Sequence, residues 1–125
     1  MAAIAAKAEK ESAYHLRHAA EWLIRLGDGT AESHRRAQTA LDILWPYTGE
    51  LFTSLPGDAA TTPAPMALRA LWDATIDEIL ARATLLRPHD GWMQSGGRSG
   101  YHTEHLGHLL AELQFLQRAY PGSSW

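Results

Sequence analysis

Residues 2–26, AAIAAKAEKESAYHLRHAAEWLIRL, decide the fold. Ile4, Ala8, Glu11, His15, Ala19, Trp22 and Leu26 recur three or four apart, so a helix gathers them on one face. That face is expected to pack, with Trp22 as an anchor whose removal costs roughly 3–5 kcal/mol if it is fully buried. Gly27 and Gly29 follow and predict the helix end, since glycine enters the left-handed cap conformation without a Cβ clash.

Downstream, the same period returns three times. Thr30 is placed to cap a helix over about 31–52, with Glu32 in the first turn against its dipole. Ala37, Leu41, Leu44, Thr48, Leu51 and Phe52 form its stripe, and Pro46 inside it predicts a kink or break. Residues 53–65, TSLPGDAATTPAP, have no period and read as a connector. Leu68, Trp72, Thr75, Ile76, Ile79, Ala83 and Leu86 stripe a third helix at about 66–86. A loop over 87–101 leads to a fourth helix, capped by Thr103, striped by Leu106, Leu109, Leu110, Leu113 and Leu116, and closed before Pro121. No alternation of period two is long enough for a strand, so the fold class is all-α with about four helices.

Composition narrows the function. The 125 residues carry a net charge of −3, which supplies no footprint for nucleic acid or an anionic membrane. No apolar run approaches the roughly 18–20 residues of a membrane span. Cysteine is absent, which removes disulfides and thiolate metal sites and agrees with a cytoplasmic location. The five tryptophans fit either a Trp-rich core or a large interface.

Three polar constellations stand out. Glu11 and His15 lie one turn apart on the first stripe. They are the candidate metal residues, because ferritin-like di-iron proteins build sites from Glu and Glu-x-x-His on facing helices. A simple i,i+4 pair is the other reading. His102, His105 and His108 recur in steps of three and drift about 60° per step around an axis, so they do not converge on one ion. They read as surface or interface histidines. Ser95 to Gly100, with Arg98 among three glycines, is either a phosphate-binding turn or a loop that is mobile without a partner. It lacks the preceding strand and the Gly-Lys-Ser/Thr ending of a nucleotide-binding loop. No catalytic residue is assigned.

These motifs also carry a family resemblance. Ala2 to Lys7, Tyr14-His15-Leu16-Arg17 and Trp22 to Gly27 resemble the last core helix of the PaaC subunits of bacterial phenylacetyl-CoA epoxidases. Leu44-Trp45 and Glu50-Leu51-Phe52 agree. So do Gly96-Gly97, Gly100, His102 to Gly107, Leu110-Ala111-Glu112, Gln114 to Arg118, Pro121-Gly122 and Trp125. The resemblance covers essentially the whole chain. It implies a ferritin-like bundle, here its last core helix plus C-terminal helices, with residues 1–125 as the C-terminal part of one domain whose earlier core helices are absent. It further implies a non-catalytic structural subunit of a multicomponent monooxygenase in aerobic phenylacetate catabolism. The di-iron centre is then expected in a PaaA-type catalytic partner, with no cofactor in this chain. The catalytic sister has Glu-x-x-His on the equivalent helix. Here His15 remains but Ser12 stands at the Glu position, so no metal ligand is carried over. The alternative is a small helical metalloenzyme of the ferritin-like di-iron class using Glu11, His15 and the C-terminal histidines. Trp22, Arg98, His102 and His105 are the candidate partner-interface residues. On the family pattern the first helix is left with an open face, which either a second copy or the catalytic subunit is expected to cover, the catalytic subunit being the favoured partner.

Overall fold

A computed structural model describes residues 2–54 and 64–124, and every regular element among them is helical. Most of the connector expected at 53–65, and the closing Trp125, lie outside the described residues. The chain divides into two units, Met1–Met93 and Gln94–Trp125.

In the first unit, α1 spans Ala2–Gly27, α2 Ala31–Leu44 and α3 Arg69–Arg82. Thr30 caps α2 as expected. The Ser33 N–H donates to its Oγ1 at 3.2 Å, and the Thr30 N–H donates to Ser33 Oγ at 3.0 Å, satisfying two groups that a bare helix start leaves open. Pro46 breaks the predicted 31–52 helix. The α-helix stops at Leu44 and Trp45–Phe52 continues as a 3₁₀ helix with the proline in its first turn. The third helix is shorter than predicted. Its entry, Pro65–Leu68, is 3₁₀, and it ends at Arg82 because Thr84 turns left-handed at φ 57°. The Thr84 N–H donates to Ala81 O and the Leu85 N–H to Leu80 O, the paired bonds of a Schellman ending. Leu86, expected on the stripe, is therefore outside the helix and exposed.

The core is Trp45, Leu80, Ala83 and Leu85, with Leu23, Ile24, Ala37, Leu41, Trp72, Ile76 and Met93 packed around it. Gly27 decides how α1 joins it. A Cβ there would lie 2.2 Å from the Ala83 carbonyl oxygen, so the two backbones touch. Gly27 and Gly29 are not among the glycines of positive φ. Close approach, rather than the predicted left-handed cap, is the requirement at Gly27. The Gly27 carbonyl accepts from the Thr84 hydroxyl at 3.2 Å and meets His34 Nδ1 at 2.8 Å. One carbonyl thereby joins the ends of α1 and α3 to the start of α2.

This contact corrects the predicted packing of α1. The inward side carries Ala20, Leu23, Ile24 and Gly27, and residues 2–19 are exposed throughout. The stripe from Ile4 to Leu26 turns outward, with Trp22 49% exposed. Among the described tryptophans, Trp45, at 3%, is the buried one. The outward stripe is the open face expected from the family pattern, with Trp22 exposed instead of anchoring a packed face; the packing is carried by Ala20, Leu23, Ile24 and Gly27, which repeat at the same period.

In the second unit, Gly97–Ser99 form a 3₁₀ turn between Gly96 and Gly100, both at φ 92°. The Tyr101 N–H returns to Gly96 O at 2.9 Å. The glycine-rich segment is thus a hydrogen-bonded turn, not an open loop. The predicted fourth helix is two, α4 His105–Leu113 and α5 Phe115–Ala119, divided at Gln114. Glu104 occupies the N-cap without a side-chain cap bond, so Thr103 does not cap α4 as predicted.

Candidate functional site

The best-connected polar cluster in the first unit was not read from the sequence. Arg69 and Arg87 both bind the Asp73 carboxylate; Arg69 also reaches Asp90 at 2.7 Å, and Arg87 reaches Asp77 at 2.7 Å. Each guanidinium lies on aromatic faces. Arg69 is 4.8 Å from the Phe52 ring centroid, and Arg87 is 5.0 Å from that of Trp45. Trp72 receives both, at 5.6 and 5.8 Å, a cation–π arrangement. Trp45 donates its indole N–H to Asp90 at 2.9 Å.

Hydrogen bonds from Arg87 and Arg69 hold the Asp73 carboxyl below the usual carboxylate range. The Trp45 indole, then Arg69, does the same for Asp90. Together with the Gln38 amide, which clasps both backbone groups of Leu86, this network pins the segment after α3 onto the core. Each of its three aspartates is paired with one or both of the two arginines, an arrangement suited to cohesion. The Arg69–Asp73 spacing of four was a legible signal. The partnership with Arg87 and Asp90 was not, because it depends on where the loop returns.

The predicted candidates lie elsewhere. Glu11 is exposed and pairs with Lys7 at 3.7 Å, not with His15. His15 is exposed and meets the edge of Tyr14 at 5.9 Å. His102, His105 and His108 are all exposed, the last two on α4. Arg98 sits within the 3₁₀ turn. Among the described residues, no three His, Asp or Glu side chains are grouped so that they could hold a metal ion.

Trp22 belongs to an unpredicted surface ladder. Tyr14 stacks on His18 at 6.0 Å and His18 meets Trp22 edge-on at 6.5 Å. Arg17 lies over Tyr14 and Arg25 over Trp22. Aromatics four residues apart were the available signal. An open groove of about 500 Å³ lies nearby, floored by Leu26, Ala37 and Ala40 and flanked by Glu32 and Arg36.

Fold and surface define a helical protein whose half-buried arginine–aspartate network ties the segment after α3 to the core and whose longest described helix presents an open face. Among the described residues, no helix is long and apolar enough to cross a membrane. The chain belongs to the phenylacetic acid catabolic protein family, whose model matches residues 1–125. It is 45% identical over 130 aligned positions to the C subunit of the 1,2-phenylacetyl-CoA epoxidase of Escherichia coli strain K12. That match covers 100% of this chain and 52% of the relative, so the chain spans about half the relative's length.

Proposed function

We propose that this chain serves as a helical, non-catalytic structural component of a cytoplasmic phenylacetyl-CoA ring epoxidase, supporting a di-iron catalytic subunit in aerobic phenylacetate breakdown. The observation that carries this reading is the 45% identity, along the entire chain, to the C subunit of such an epoxidase. On this reading residues 1–125 correspond to the last core helix and C-terminal helices of a ferritin-like bundle. The partner is a PaaA-type subunit that holds the iron, and this chain carries no cofactor of its own. The side chains favour that division of labour. Ser12 stands where Glu-x-x-His requires a carboxylate, and Glu11 is engaged with Lys7. A di-iron site needs carboxylates both as ligands and to neutralise charge.

Co-expression with a PaaA-type catalytic subunit is the test. The tagged chain is expected to retain the catalytic subunit at constant stoichiometry through gel filtration, with iron following the catalytic subunit. Elution of the two as separate species would overturn the proposal.

A further inference from the structure

The stretch that follows α3 is fastened by charge more than by burial. Leu85 and Met93 lie against the core at its two ends. Between them no helix or strand forms, and Leu86 and Trp92 are 78% and 73% exposed. Among the described residues, its backbone-to-backbone hydrogen bond runs from the Gly91 N–H to His89 O at 2.9 Å, which ties it to nothing else. Three side-chain ties hold it to the helices. The Gln38 amide takes both backbone groups of Leu86, at 2.8 and 2.9 Å. Arg87 spans Asp73 and Asp77 on α3. Asp90 accepts from the Trp45 indole N–H and from Arg69. Beneath these ties lie the Trp45 and Trp72 rings, with centroids 5.7 Å apart and the Arg87 guanidinium 5.0 and 5.8 Å from them.

We infer that Leu86–Trp92 is a strap that opens as one piece from the Trp45–Trp72 pair while α1, α2 and α3 stay folded, with the ion pairs of Arg69 and Arg87 setting how often it does so. Local opening is easiest where little apolar surface is given up and polar groups return readily to water. Leu86 and Trp92 are already wet, so releasing them loses little burial. The charged groups that part range from 25% exposed at Arg69 to 57% at Asp77. Ion pairs so far solvated are weak and are screened by salt.

The cation–π contacts of Arg87 and the indole bond of Trp45 keep the strap closed most of the time. Its travel has two fixed ends. The Leu85 N–H is bonded to Leu80 O at 3.0 Å, and Met93 is the last residue of the first unit. Between those points the strap moves without disturbing α3. Opening bares the rings of Trp45 and Trp72, an aromatic surface covered in the closed chain. The strap is independent of the proposed epoxidase role.

Native-state hydrogen exchange of the intact chain, read by NMR, is the test. The Leu86 N–H and the Trp45 indole N–H should exchange together, with protection about tenfold or more below that of the buried Leu80 N–H inside α3. Raising salt from about 0.1 to about 1 M shortens the screening length from about 10 to about 3 Å. Exchange at both strap positions should then quicken several-fold without quickening at Leu80. Asp77→Asn, which leaves the bonds of both reporting groups in place, should act in the same direction as salt. Reporting groups protected as well as Leu80, or indifferent to both salt and Asp77→Asn, overturn the inference, because the segment then opens only with the whole fold or without regard to its ion pairs. So does fast exchange at Leu86 with the Trp45 indole still as protected as Leu80, because the strap would not then move as one piece.

Discussion

At Gly27 a single added methyl group would sit 2.2 Å from the Ala83 carbonyl oxygen. That neighbour is backbone and cannot swing away, so Gly27→Ala must push α1 from α3. Overpacking of this kind costs about 1–3 kcal/mol, and chemical denaturation should register the loss, whereas Gly91→Ala, which meets nothing within 4 Å, should cost far less. The tryptophans separate in the same way. Trp45 is 3% exposed and bonded to Asp90, so Trp45→Ala should cost about 3–5 kcal/mol. Trp22→Ala, on the open face, should cost much less in the monomer. Equal losses for the two would show that the outer face of α1 is packed. Acid tests the cluster around Asp73 and Asp90. Both carboxyls titrate below their ordinary range when folded. Their contribution is therefore complete above the unfolded value near 4 and is lost as pH falls through the folded one. Denaturation midpoints should drop steeply below about pH 4, and Asp73→Asn with Asp90→Asn should flatten that dependence while lowering stability at neutral pH. An unchanged slope in the double variant would show that other groups carry the acid response.

Among the elements, what could be read in the sequence was what depends on near neighbours. The cap at Thr30 and the interruption at Pro46 are local, and both appear where the residue types demand them. The end of α3 was not legible. Thr84 is a β-branched residue in a left-handed conformation that its class rarely adopts, and it is supported there by the distant Gly27 carbonyl. The inward face of α1 was missed for a related reason. Two faces of one helix carried apolar residues at helical spacing, and only the contact between Gly27 and Ala83 distinguishes them. The fourth helix breaks at Gln114 although its leucine stripe runs on to Leu116; the pattern predicts a face, not the continuity of the backbone beneath it. Of the candidate site residues, Glu11 and His15 share the exposed outer face of α1, and their exposure was legible only through the family pattern, because burial depends on which face the rest of the unit covers.

For the molecule as a whole, the family is established along the entire chain, and the chemistry belongs to the arrangement of its side chains. The first unit commits its best-placed acids, Asp73 and Asp90, to arginine and tryptophan partners. Glu11 and His15 lie on the exposed part of α1, with Ser12 between them. On the proposed function, this chain assembles with a catalytic partner rather than holding a reactive metal. Elemental analysis of the chain purified alone from iron- and zinc-replete cells tests it most directly. The expected result is far less than one metal ion per chain, unchanged by His15→Ala; a content of about one iron or zinc per chain that His15→Ala abolishes would contradict it.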